Sequence, residues 1–143
     1  MPDQDVVASK LATIDRCLQR IAETQGERRT ALLPVEVEDI TVINLQRAIK
    51  AAIDLACHII ALEGYDVLDS TTDSFTLLER KGLIDGDLAG RLRRMVVVRD
   101  ITLYDYQSVG PDVVEAILDR HLGDLRCFGE RILEVFQLHH AGH

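Results

Sequence analysis

The sequence predicts an all-α protein: a five-helix bundle of the up-and-down type, one domain over residues 1–143. Three observations carry this. Apolar residues recur at three- and four-residue spacings in every long segment, glycine or proline marks the junctions between segments, and no stretch reads as a strand. With 47% hydrophobic and 28% charged residues in 143, the chain has the composition of a soluble helical domain that can bury a substantial core.

The first helix is expected from about Asp3 to Gln25, where Val7, Leu11, Ile14, Leu18 and Ile21 form one apolar stripe, with Gly26 as its stop. A connector holding Arg28, Arg29 and Pro34 leads into a long helix, about Glu36 to Glu63, ending at Gly64. Its apolar positions (Val42, Leu45, Ile49, Ala52, Ile53, Ala56, Ile59 and Ile60) cover more than one face, so this is the expected central helix. It also carries a polar line of Asn44, Arg47, Lys50, Asp54 and His58, in which Asp54 and His58 stand one turn apart and can meet. A polar loop over Tyr65 to Thr72 precedes a short helix from about Asp73 to Lys81, closed by Gly82. The fourth helix starts near Asp85 or Asp87 and loosens between Ile101 and Ser108, where β-branched and turn-forming residues gather. Gly110-Pro111-Asp112 is a stop and restart, with proline suited to the first helical position and Asp112 to the positive end of the helix dipole. The last helix, roughly Pro111 to Leu138, repeats Val114, Leu118, His121, Leu125, Phe128, Ile132 and Val135, which makes His121 a packed, hydrogen-bonded core residue.

Composition excludes several classes. No apolar run approaches the roughly 18 residues of a membrane span, and the start, MPDQD, has neither the basic region nor the apolar core of a signal peptide, so a cytoplasmic protein is expected. The net charge of −8 argues against coating nucleic acid non-specifically, although Arg91, Arg93, Arg94 and Arg99 concentrate positive charge locally. Cys17, Cys57 and Cys127 are odd in number and far apart, which predicts buried or half-buried thiols instead of disulfides or metal ligands. His139, His140 and His143 have no carboxylate or cysteine in register, so residues 139–143 read as a frayed tail. There is no glycine-rich phosphate loop, nucleophile elbow or zinc signature, and no cofactor is expected.

Chemistry gathers in one stretch, Met95 to Tyr106, where an arginine, two aspartates and two tyrosines fall within eight positions. On a helix Arg99 and Tyr106 lie within about 20° of one another and share a face. Leu88, Leu92 and Met95 lead into that face, so Arg99 ends an apolar stripe. A guanidinium there needs a partner: an aspartate across a helix interface, or a phosphate held by its planar fork.

The order of helices, the segment Asn44-Leu45-Gln46-Arg47-Ala48-Ile49, the run Arg99-Asp100-Ile101-Thr102-Leu103-Tyr104-Asp105-Tyr106 and Leu122-Gly123-Asp124-Leu125 in the last helix resemble the HepT-like branch of the HEPN superfamily. The resemblance implies a homodimeric toxin, paired with a small nucleotidyltransferase antitoxin of the MntA type, that cleaves RNA without a metal in a cleft between two subunits. The family motif is arginine, a polar residue, a histidine after four intervening residues, and a tyrosine two positions later. Arg99 matches the arginine, Asp100 its polar neighbour and Tyr106 the tyrosine, which in the family receives nucleotide monophosphate from the antitoxin. Tyr104 stands where the histidine belongs.

Histidine suits proton transfer because its pKa lies near working pH. A tyrosine of ordinary pKa is phenolate in only about one molecule in a thousand at pH 7, so reduced or absent nuclease activity is expected. On a straight helix position 104 also lies about 140° from Arg99, so the two converge only through a bend or a second subunit. The rival readings are a non-enzymatic helical module that binds a nucleotidyltransferase or a nucleotide, and a metal carrier using the tail histidines.

Overall fold

The computed structural model describes residues 2–25, 34–62, 71–105 and 111–141; within these, the side chains at 2–4, 25, 34, 35, 37, 38, 71–73, 97–105, 111–119 and 137–141 are outside the description. The described residues form five helices and no strand: α1 (Pro2–Gln25), α2 (Pro34–Leu62), α3 (Thr71–Arg80), α4 (Gly86–Asp105) and α5 (Pro111–Ala141). The expected all-α fold is the one observed. The predicted stops at Gly26, Gly64 and Gly110, and most of the loop ending at Thr72, lie outside the described residues.

The central helix is α2, which touches all four others. Its two apolar faces explain this: Leu45, Ile49, Ala52, Leu55, Ala56 and Ile59 are all buried, and the small alanines let neighbouring helices approach. The stripe on α1 (Val7, Ile14, Leu18, Ile21) is buried with Leu11 packed at its edge. Phe75 on α3 meets Phe128 on α5 edge to face, ring centres 5.6 Å apart, which ties the short helix to the long one.

The ends of the short elements follow from local chemistry. Past α3, Gly82 takes a left-handed φ of 77°, Leu83 N–H donates to Leu78 C=O at 3.0 Å and Gly82 N–H to Glu79 C=O at 3.0 Å. This is the Schellman arrangement that glycine permits at no steric cost. The Leu83 carbonyl then accepts the Arg131 Nε–H at 2.8 Å, fastening the turn to α5. Asp85 caps α4: its Oδ1 accepts the Leu88 N–H at 2.7 Å.

Several expectations change. The backbone of α4 is helical through Asp105, so the loosening expected from Ile101 is not seen over 101–105, and the rest of that stretch, 106–108, lies outside the described residues; the few tenths of a kcal/mol by which a β-branched residue disfavours a helix do not break one already seated on a core. Helix α5 continues through Ala141, beyond the expected end at Leu138, and so includes His139 and His140. Of the three free cysteines only Cys17 is buried, while Cys57 and Cys127 are exposed. Cys57 continues the outward line of Lys50 and Asp54, and Cys127 sits one position before the buried Phe128.

Asp54 and His58 are not hydrogen-bonded to one another. Asp54 Oδ2 instead accepts Lys50 Nζ–H at 2.9 Å and, across the seam from α1, Lys10 Nζ–H at 3.4 Å. Partial burial opposes ionisation of Asp54, but the hydrogen bonds and charges of Lys50 and Lys10 together outweigh it and hold its carboxyl below the ordinary value. A depressed carboxyl contributes stability above its unfolded pKa, about 3.9, and loses it as pH falls through the lower folded value. In urea melts on either side of that window, acidification is therefore expected to narrow the stability gap between the parent protein and Asp54→Asn. A gap that stays constant or widens on acidification contradicts this account of the clasp.

Candidate functional site

Helix α4 carries the motif from Arg99 to Asp105, and its buried face upstream runs as the spacing requires. Leu88, Leu92 and Met95 are buried, Leu92 and Met95 completely. Helical phase continues that stripe to position 99. Arg99, Asp100 and Tyr104 lie on the helical backbone of α4, with their side chains outside the described residues, and Tyr106 lies beyond them altogether.

Two sets of polar contacts fix α4 upstream of the motif. Toward α3, Arg93 Nη1 donates to Glu79 Oε1 at 3.3 Å and Thr76 Oγ1 at 3.2 Å. Gly86 lets the same carboxylate close in, since a Cβ there would stand 3.1 Å from Glu79 Oε2. Toward α5, Asp124 is 2% exposed and its two oxygens are divided between two partners. Oδ1 accepts Arg91 Nη1–H at 3.0 Å, and Oδ2 lies 3.2 Å from Nδ1 of His121, itself 2% exposed. Arg91 also reaches back to Asp87 at 3.1 Å. His121 is thus the packed, bonded histidine that its place in the stripe predicts.

These contacts revise the electrostatics read from the sequence. Arg91 and Arg93 are neutralised by carboxylates, and Arg94 alone of the three upstream arginines is exposed without a partner among the described residues. The local basic site expected before Arg99 is therefore mostly spent on packing. Asp124 is the residue that sequence reasoning passed over. Its signal was present: it lies three positions after His121 in the last helix, and Arg91 lies on the helix before it.

Other chemistry is absent from the described part. No group of three or more His, Cys, Asp or Glu among the described residues could hold a metal ion. Burial raises the pKa of Cys17 against the opposing charges of Arg47 and Arg16; partial desolvation by its neighbours raises that of Cys57, with help from Asp54 and against a hydrogen bond with Ser74, so neither is a thiolate nucleophile at neutral pH. A groove between α1 and α5, floored by Ile14, Leu18 and Leu125, includes no residue of α4. None of the described helices is long and apolar enough to cross a membrane.

Removing one partner of a buried ion pair leaves the other unpaired. Asp124→Ala is expected to destabilise the fold by roughly 2–4 kcal/mol, short of the largest such costs because Arg91 keeps Asp87 and partial access to water. A denaturant melt showing a loss below about 1 kcal/mol would contradict the clamp.

With this geometry in hand, three comparisons converge. The model of the family described as "Ribonuclease HepT-like" matches residues 14–132. An mRNA nuclease HepT from Shewanella oneidensis is 36% identical over 124 residues, covering 87% of this chain and 93% of that protein. Among solved structures, a tri-AMPylated Shewanella oneidensis HEPN toxin in complex with MNT antitoxin superposes with a TM-score of 0.81 at 35% identity, covering 91% of this chain and 98% of that one. A toxin-antitoxin structure with AMP-PNP gives 0.80 at 34% identity, with the same coverage of both chains. The family match spans the clamp and the whole motif from Arg99 to Tyr106, and the chain belongs to the ribonuclease HepT-like family.

Proposed function

We propose that the chain is the toxin of a toxin-antitoxin pair, an RNA-cleaving protein by descent, neutralised by a nucleotidyltransferase antitoxin of the MntA type. The observation that carries this reading is a motif on a clamped helix: α4 is held by Arg91–Asp124 and Arg93–Glu79, and the buried Leu88, Leu92 and Met95 lead to position 99. Support comes from the relatives, which include an mRNA nuclease and a HEPN toxin with an MNT antitoxin.

In this reading two copies form the cleft and Arg99 grips the phosphate, since a guanidinium keeps its charge and offers paired hydrogen bonds to an oxyanion. Asp100 orients and balances that charge. Tyr106 receives nucleotide, as AMPylation of the neighbour toxin supports. A nucleotide attached there brings negative charge and bulk toward the phosphate-binding arginine.

Tyr104 is what sets this chain apart. Metal-free cleavage of RNA needs a group to take the 2′-hydroxyl proton and one to protonate the leaving oxygen, and a phenol of ordinary pKa does the first poorly at pH 7. The nuclease is therefore weak or silent, and Tyr104 also favours a second reading: a helical module that only binds the nucleotidyltransferase or a nucleotide.

One substitution separates the two. Tyr104→His is expected to raise cleavage of a single-stranded RNA by about 10²–10⁴-fold, the usual worth of general acid-base help, and Arg99→Ala in that background is expected to remove it. A Tyr104→His protein that folds and cleaves nothing favours the binding module.

A further inference from the structure

We infer that the seam between α1 and α2 is an RNA-docking surface that binds the phosphate backbone of single-stranded RNA, separate from the motif on α4. The inference rests on the proposed function for its choice of RNA as the ligand.

The two helices lie side by side, with Lys10 of α1 reaching Asp54 of α2. Along their outer seam stand Lys10, Arg16 and Arg20 from α1 and Arg47 and Lys50 from α2; Asp39 and Glu36 continue the same face of α2 toward its start, and within the strip itself stand two carboxylates, Glu23 and Asp54. Those two do not neutralise the strip. Asp54 is shared by Lys10 and Lys50, which leaves one of that trio's positive charges over. Glu23 stands 3.7 Å from Arg20, beyond hydrogen-bond reach, with both side chains well exposed. Arg47 is exposed with no partner among the described residues, and the hydrogen bond of Arg16 goes to a neutral hydroxyl, Thr13 Oγ1, at 3.4 Å. Arg16 and Arg47 come from different helices, and both are exposed.

The rest of the chain gives this strip its meaning. A molecule of net charge −8 repels a polyanion over most of its surface, so a positive seam both attracts RNA and dictates the orientation in which it lands. The groove on the other side of α1 is edged by Asp15, Glu130 and Arg126, a net negative set that offers a polyanion less than the seam does. From Lys10 to Arg20 the strip runs about 15 Å, enough to follow several phosphates of an extended strand. Its chemistry also favours RNA over a protein partner. Protein interfaces concentrate aromatic and apolar anchors and are poor in lysine, whereas this strip has two lysines, no aromatic residue and two exposed large apolar neighbours, Val6 and Ile43; its three arginines suit either occupant.

The test uses the full chain and a fluorescein-labelled 2′-O-methyl oligouridine, which cannot be cut through its 2′ position, read by anisotropy across a salt series. Arg16→Gln/Arg47→Gln is expected to weaken binding at least tenfold near 0.1 M salt. It should also flatten the log affinity–log salt slope by about 1.4, two phosphate contacts at roughly 0.7 each. The control, Arg120→Gln/Arg126→Gln, removes the same charge from exposed positions on α5 and should change affinity less than threefold; circular dichroism checks that both variants fold. Equal weakening by the two double variants, no effect of the first, or no binding by the parent protein overturns the docking surface. So does a first variant that keeps RNA but no longer captures a purified MntA-type nucleotidyltransferase, which would make the seam a protein interface. The two proposals fail differently: an inert Tyr104→His with RNA binding intact removes the nuclease, whereas cleavage by Tyr104→His that is indifferent to Arg16→Gln/Arg47→Gln removes the seam.

Discussion

A carboxylate taken out of water has to be repaid by partners, and in this protein the constraint falls on Asp124. Arg91 and His121 supply them from two helices, one contact per oxygen. A buried charge of this kind is not a reliable source of net stability, because desolvation offsets much of the attraction. What it does impose is position. Sliding α4 by one residue along α5 moves Arg91 about 1.5 Å and turns it by about 100°, which strands Asp124 without its guanidinium. The register of the α4–α5 hairpin is therefore specified by a polar contact where apolar packing alone tolerates more than one arrangement.

Everything downstream on α4 inherits that register. Arg99 follows Arg91 by eight residues, about 12 Å along the axis of one helix. The stripe of Leu88, Leu92 and Met95 supplies the burial, the Arg91–Asp124 and Arg93–Glu79 contacts supply the alignment, and the motif sits where both end. This division explains why arginines that look alike in the sequence differ in role. Arg91 and Arg93 are structural cations already engaged by carboxylates, while Arg16 and Arg47 have no carboxylate partner among the described residues.

Much of this architecture was legible in the residues. The 3.6-residue period located all five helices, Gly82 marked the end of α3, and the breadth of the apolar pattern on α2 identified the helix that touches every other. What periodicity cannot convey is pairing across helices. Asp54 looked like a partner for His58 one turn away, yet two lysines, one of them on α1, took it. Asp124 showed its importance only once α5 was laid against α4. The cysteines misled because a small side chain beside apolar neighbours can fall on either side of a helix, and one position decides between core and water. For the candidate site, the motif and its family were readable, whereas the proposed meeting of Arg99 with a second subunit is not a property that one chain's sequence encodes locally.

In the proposed function the clamped helix presents the Arg99 guanidinium to phosphate at a seam between two copies. The most direct measurement is a crystal structure of the chain grown with a 2′-deoxy analogue of a short RNA. The account predicts a phosphate oxygen about 2.8 Å from the Arg99 guanidinium, in a cleft lined by both subunits with Tyr104 and Tyr106 at its edge. An Arg99 side chain pointing into bulk solvent, remote from any cleft shared by two subunits, would contradict it.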